Sequence, residues 1–261
     1  MSACYIKSVG IAAPGLAGWA ASLDILRGAT PYAALAETPY APALLPPNER
    51  RRATASVRQA FRAAEDAVSV PGVDARELAS VFASSDADMA VLHRICAALA
   101  QPTRAISPTD FHNSVHNAAS GYWSIAVQST ALTTTLSAFD ASFAVGLLEA
   151  AALVDARRDV LLVAYDAAAP EPLLAKRPLA LAAGVAVVLG ANAGAAALGR
   201  IAISASDADE SRCVTPALEE LRLANPALRA LPLFELLAAK RAATVHLRGT
   251  GDMRVGLSYT P

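Results

Sequence analysis

Side chains able to serve as ligands, bases or nucleophiles are sparse in this chain of 261 residues, which holds four histidines and three cysteines. His112 and His116 stand four apart in a segment of helical character, a spacing that sets two imidazoles on one face. Metal binding needs a third ligand, and none is evident beside them. The pair therefore reads as polar residues hydrogen-bonding at a cap or an interface, and no metal is expected. Cys4, Cys96 and Cys213 are odd in number and far apart, so they form neither a disulfide framework nor a paired CxxC. The phosphate-cradling GxxxxGK[ST], the nucleophile motif GxSxG and the zinc motif HExxH are all absent. No cofactor is expected.

The elements that would position these groups follow from the pattern of apolar residues. Cys4 to Ala13 reads as a buried strand broken by Pro14-Gly15. Trp19 to Arg27 has helical spacing with Gly28 after it, and residues 29–48 form a long ordered loop. Glu49 to Val70 is predicted as one amphipathic helix stopped by Pro71-Gly72, and Leu78 to Ala83 as a strand. Asp86 is placed to cap a helix running through Leu99. Residues 110–128 read as helix, Leu132 to Ser137 as strand, Asp140 to Ala156 as helix and Asp159 to Tyr165 as a strongly apolar strand. Gly184 to Leu189 and Gly199 to Ala205 read as strands, and 215–224 and 231–240 as helices. Thr244 to Arg248 and Arg254 to Ser258 close the chain as strands. Alternating helices and strands, with strands apolar on both faces, predict an α/β fold with helices covering both sides of a sheet.

Bulk composition narrows the function. The chain is 54% hydrophobic and 17% charged, with a mean hydropathy of +0.37. Much of that excess is alanine, yet so little charge points to a large subunit interface. A net charge of -1 gives no broad electrostatic reason to bind nucleic acid or anionic lipid. Pro178 to Gly199 is uncharged and nearly long enough to span a bilayer, but its glycines and Asn192 read as strand, turn and strand, so no membrane insertion is expected. The start shows no charged region followed by an apolar run, and a cytoplasmic location is expected.

One stretch is distinctive: Ile106-Ser107-Pro108, then Asn117, Ser120-Gly121 and Ser124-Ile125. It resembles the segment that precedes the nucleophile strand of β-ketoacyl synthases. Val9 to Pro14, Leu45-Pro46-Pro47 with Glu49 to Arg52, and Asp159 to Val163 are similar to further pieces of that family. The likeness runs over about residues 4–205 and is strongest at 106–166. Phe111 to Ala118 and Ser142 to Ala151 resemble in particular the chain-length-factor proteins of aryl polyene and xanthomonadin-type pigment clusters. The resemblance implies a thiolase-like layered α/β/α fold over 1–261, with a complete first half (1–170) and a reduced second half (171–261).

It also implies what is missing. The family nucleophile is a cysteine in a TAC(S/A)S elbow between strand and helix. Here that stretch is Thr135 to Asp140, and the elbow position falls on Phe139, with Ala138 and Ser137 beside it. Neither Phe139 nor Ala138 can attack a thioester, and no base for Ser137 is identifiable in the sequence. The family's two histidines sit in HGTGT and KxxxGH motifs. His246, in Val245 to Gly251, is only loosely similar to the first and reads as part of a strand and turn, and no Gly-His pair exists for the second. The expectation is a chain with no Cys-His-His site that pairs with an active ketosynthase and meets an acyl carrier protein only indirectly. Asp110, Ser114, Val115, His116 and Asn117 are the implied interface or gate residues, with Asp110 alternatively capping its helix. The strand at Leu132 to Ser137 is the candidate for pairing across the interface. Two other readings stay open: an acyl-thioester decarboxylase or acyltransferase using Ser137, and a stand-alone homodimer binding an acyl ligand or carrier protein.

Overall fold

The computed structural model of the protein describes residues 2–194 and 197–261. In chain order these form β1 (Ser2–Ala13), β2 (Leu16–Ala17), α1 (Trp19–Leu26), α2 (Pro47–Arg52), α3 (Ala55–Val68), β3 (Ala79–Ala83) and α4 (Met89–Leu99). There follow α5 (Pro108–Asn113), α6 (Ala118–Val127), β4 (Thr133–Leu136), α7 (Ser142–Leu153), β5 (Val160–Asp166), β6 (Ala183–Gly190) and β7 (Gly199–Ser206). The chain closes with α8 (Pro216–Ala224), α9 (Leu231–Ala239), β8 (Ala243–Arg248) and β9 (Arg254–Thr260).

One sheet runs in the order β4-β3-β5-β6-β1-β7-β9-β8. β4, β3 and β5 are parallel, whereas β6 is antiparallel to both β5 and β1. Every residue of β3, β5 and β6 is buried, as strands covered on both faces require. Along β5, Val160, Leu162 and Ala164 belong to the core on the α7 side, which includes α9, while Leu161, Val163 and Tyr165 belong to the core on the α3 side, which includes α6. This is the layered α/β/α arrangement expected. The last three strands extend the free edge of β1 in the order β7-β9-β8, all antiparallel, with β9 between β7 and β8. They bury Ile201, Ile203, Val245, Val255 and Leu257 on one face only, which suits an antiparallel sheet with a solvated side. A division at residue 170 therefore runs through one hydrogen-bonded sheet rather than between two. The segment once readable as a membrane span is instead β6 and the start of β7, with residues 195 and 196 of its turn outside the described residues. Among the described residues no helix is long and apolar enough to cross a membrane.

Four helical expectations are corrected. The helix expected over 49–70 is two, because the backbone turns extended at Ala53, ending α2, and the Thr54 hydroxyl accepts the Val57 amide to start α3. The one expected over 110–128 is also two: Ser107 caps α5 by accepting the Asp110 amide, and residues 114–117 leave the helix before α6 begins. Asp88, not Asp86, caps α4 through the Val91 amide, which frees Asp86 for a different partner. The helix predicted from Asp140 begins as a 3₁₀ turn at Phe139–Ala141 and becomes α-helical at Ser142.

Close packing of α3 on β1 fixes the sheet's centre. A Cβ at Gly10 would overlap the Ala63 carbonyl oxygen and the Ala67 amide of α3. Gly10→Ala is expected to lower stability by about 3 kcal/mol, since backbone cannot yield as a side chain can. Chemical denaturation with an unchanged m-value checks this.

Candidate functional site

β4 delivers the chain to a sharp turn over Ser137, Ala138 and Phe139 before α7 departs. Phe139 sits there with φ +52°, a left-handed conformation costing about 1 kcal/mol for a bulky residue. The Ser142 hydroxyl closes the turn, accepting the Ala138 amide at 3.0 Å and donating to the Phe139 carbonyl at 2.7 Å. The Arg177 guanidinium stacks on the Phe139 ring, 3.7 Å from its centroid. It also pairs with Asp86 at 2.6 Å and Asp140 at 2.7 Å. An aromatic ring under a cation therefore occupies the elbow, and neither group offers an electron pair for attack.

The elbow faces a pocket of about 430 Å³ between Ala138, Phe139, Asp140 and Ala141 on one side and Arg248, Gly249, Thr250 and Gly251 on the other. His246 lies just outside this lining, on β8. Its Nδ1 meets the Ser206 hydroxyl at 2.7 Å and its amide donates to the Ser211 hydroxyl at 2.9 Å. So His246 belongs to a strand, while the turn that follows it reaches the elbow. None of the cysteines lines the pocket. Cys4 and Cys213 are buried and Cys96 is exposed on α4. Burial pushes the Cys4 thiol up to about 11. Burial, with Glu235 and Glu219 nearby, raises that of Cys213.

Ser137 has a neighbour that sequence reasoning missed: His116 Nε2 lies 2.9 Å from its Oγ. The break between α5 and α6 brings them together across 21 residues, and no local spacing could have signalled it. The same Oγ also donates to the Ser84 carbonyl. A serine hydroxyl has a single proton, so with that proton on Ser84 it is His116 that must donate. A nitrogen already holding a proton cannot act as the base. Burial also lowers the His116 imidazole from its ordinary range. His112 is separate, edge-on to Tyr122 at 5.9 Å, and among the described residues no group of three His, Cys, Asp or Glu side chains is placed to hold a metal.

A buried carboxyl supports the elbow from behind. Asp166 Oδ1 accepts the Ser84 hydroxyl at 3.0 Å, the Ser85 amide at 2.7 Å and the Ser85 hydroxyl at 2.8 Å. The Ser85 hydroxyl is also 2.8 Å from Asp86, the partner of Arg177. Burial raises Asp166 to about 7, against the lowering effect of the serine hydrogen bonds.

The five interface candidates separate. Val115 and Asn117 line an open groove of about 580 Å³ with Pro108, Phe111, Tyr122 and Ile125. Ser114 is exposed, and its hydroxyl turns back to the Phe111 carbonyl. His116 is taken by Ser137 as described. Asp110 is held by Arg94 of α4 through Oδ1 at 2.7 Å, so the carboxylate is neither unpaired nor the cap, a role Ser107 fills.

Fold and site together define an α/β protein with a strand-to-helix elbow whose apex is Phe139. The family profile described as the β-ketoacyl synthase N-terminal domain matches residues 27–243. The chain belongs to that family. No curated protein sequence matches it. Among solved structures, it is similar to a chain of the ketosynthase ApeO in complex with its chain length factor ApeC from Xenorhabdus doucetiae. Identity is 22% over 99% of both chains, with a TM-score of 0.73. It is also similar to a chain of the ishigamide ketosynthase/chain length factor, at 13% identity, all of both chains and a TM-score of 0.73. At these identities the likeness establishes the thiolase-like fold.

The raised Asp166 makes stability depend on pH. The folded chain keeps this proton to a higher pH than the unfolded chain does. Its stabilising contribution is complete below about pH 4 and is lost as pH rises through about 7. Glu219, lowered by Arg222, acts in the opposite sense at acid pH, so the comparison must be with a variant. Asp166→Asn is expected to gain stability relative to the parent between about pH 5 and about pH 8, measured by urea denaturation at both.

Proposed function

We propose that this chain is a non-catalytic ketosynthase-like subunit that pairs with an active β-ketoacyl synthase and limits the length of the acyl chain built by the pair. The observation that carries the reading is the elbow, where Phe139 lies under Arg177, at the position the family resemblance implies for the cysteine, and no histidine lines the pocket. A second feature supports it. β4 is an edge strand whose outer side has no partner strand among the described residues. Beside it, Leu132, Ile125, Val115 and Phe111 are 49%, 51%, 53% and 69% exposed. An unpaired edge next to an apolar groove is a surface that a partner strand and helix would cover. The reading extends to polyketide or fatty-acid-like pigment assembly of the aryl polyene type, in the cytoplasm. The carrier protein would be met through the partner.

The groove gives the gating argument. Each methylene buried contributes about 0.8 kcal/mol, so a groove blocked at one depth favours the chain that fills it. Val115→Trp is expected to shorten the products of the co-expressed pair, read by mass spectrometry, without loss of co-purification. Phe111→Asp is expected to abolish co-purification with the ketosynthase while leaving the isolated chain folded. A pair that forms normally with Phe111→Asp counts against this face, and unchanged products with Val115→Trp count against gating.

A second reading is favoured by one contact, His116 to Ser137 at 2.9 Å: an acyl-thioester enzyme with Ser137 as nucleophile. Thioester hydrolysis or transfer by the purified chain, abolished by Ser137→Ala, would establish it, whereas the hydrogen-bond directions described above predict no such activity. A homodimer stable at micromolar concentration and indifferent to ketosynthase would instead favour a stand-alone binding protein.

A further inference from the structure

The edge strand carries hydroxyls at every second position. Thr133 and Thr135 share one face of β4, and Ser137 continues the alternation just past its end. That face is turned toward α6, because Phe82, the register partner of Thr135, belongs to the core that includes α3 and α6. Leu136 packs against the opposite core. Each hydroxyl holds a different element. Thr133 accepts the Ser80 hydroxyl of β3, Thr135 meets the Ser120 hydroxyl of α6, and Ser137 meets His116 Nε2, each at 2.9 Å.

The third contact differs from the other two in holding a segment that has no regular structure of its own. Residues 114–117 form the bend between α5 and α6. Asn113 ties the end of α5 to the Arg52 carbonyl at 3.1 Å, and Ser120 ties the start of α6 to β4. Between these anchors the hydrogen bonds of the bend are local. The Ser114 amide and hydroxyl donate to the Phe111 carbonyl, the Val115 carbonyl accepts the Ala118 amide, and the Asn117 carbonyl accepts from Ser120 and Gly121. Among the described residues, His116 to Ser137 is the one hydrogen bond of residues 114–117 that reaches beyond the two helices and their bend. The preceding residue, Val115, is exposed and lines the α5–α6 groove. Because the Ser137 proton is given to the Ser84 carbonyl, the bond needs a donor on His116. The Nε2-protonated neutral ring and the imidazolium both supply one.

We propose that His116 is a positioning residue for the gate: its donation to Ser137 fixes the bend, and with it the depth at which Val115 stands beside the β4 edge. The proposal rests on the reading of the groove as the gate. It gives His116 a role inside the subunit, directed at its own edge strand, and it gives Ser137 the role of acceptor in place of nucleophile. Without the bond, the bend keeps its local hydrogen bonds but loses its tie to the sheet, so Val115 samples several depths and the lengths of chain it admits spread.

The test uses both the co-expressed pair and the isolated chain. Glutamine sets its amide nitrogen where Nε2 of histidine lies, whereas asparagine reaches only as far as Nδ1. His116→Gln is therefore expected to keep the product lengths of the parent pair. His116→Asn and His116→Leu are expected to spread them to neighbouring lengths, with co-purification unchanged. Ser137→Ala removes the acceptor and is expected to do the same, and adding it to His116→Leu to change nothing further. In the isolated chain, amide hydrogen exchange over residues 114–118 is expected to rise about fivefold in His116→Leu, as loss of one ordinary hydrogen bond implies. No rise is expected in His116→Gln. The proposal is overturned if His116→Leu leaves exchange unchanged, or if His116→Gln acts like His116→Leu. It is also overturned, with the gate reading left standing, if Val115→Trp shortens the products and His116→Leu does not alter them. If exchange rises in His116→Leu but neither variant alters the products, the gate reading fails and the proposal fails through it.

Discussion

The molecule is held as one body by β1, which is hydrogen-bonded along both of its edges. Residues from Tyr5 to Ala12 pair with β6, and residues from Ser2 to Ile6 pair with β7. An interior strand has no freedom to slip, because a shift of one residue would turn Ile6, Val9 and Ile11 out of the core. Gly10 allows α3 to lie directly on this strand, and Asp66 of α3 accepts the Ile11 and Trp19 amides at 3.0 and 2.7 Å. The parallel strands that carry the elbow and the antiparallel strands that carry its facing turn are therefore registered to one another through β1. That is why the Arg248 to Gly251 turn can reach a pocket whose other wall is built more than a hundred residues earlier.

At the elbow, a sharp turn is built around an aromatic residue. The left-handed turn, the hydroxyl of Ser142 and the departure of α7 are all present, yet the residue at the apex is Phe139. Its strain is offset by the Arg177 stack and by ion pairs reaching Asp86 and Asp140. Asp86 is in turn joined through Ser85 to the buried Asp166. A polar chain thus runs from the sheet interior to the apex, and it holds an aromatic ring where the family resemblance leads one to look for a thiol.

Much of this was legible in the sequence. The apolar strands at Val160 to Val163 and Gly184 to Leu189, and the Ile106 to Ile125 stretch, were enough to place the sheet and the family, because buried strands and turn residues leave local signatures. Helix continuity was less legible. Thr54 and the residues around Ser114 interrupt patterns that remain amphipathic on either side, and the period of the apolar residues does not register a local change of direction. The partners of the elbow were not legible at all. Arg177 reaches Asp86 and Asp140 from a loop, and His116 meets Ser137 across a helix break, so these contacts exist only after the sheet has formed. The environment of Asp110 was likewise set by Arg94 on another helix, which no spacing rule connects to it.

The two ends of the sheet differ in a way that bears on assembly. At the β8 end, Ser211 accepts the His246 amide on its hydroxyl and donates its own amide to the His246 carbonyl at 2.8 Å, so the middle of that margin is already occupied from within. At the β4 end the backbone groups of Thr133 to Leu136 face outward without such a cover. A sheet open at both margins could add copies indefinitely and grow into a fibre. With one margin covered from within, the β4 margin is the one at which strand pairing could extend the sheet.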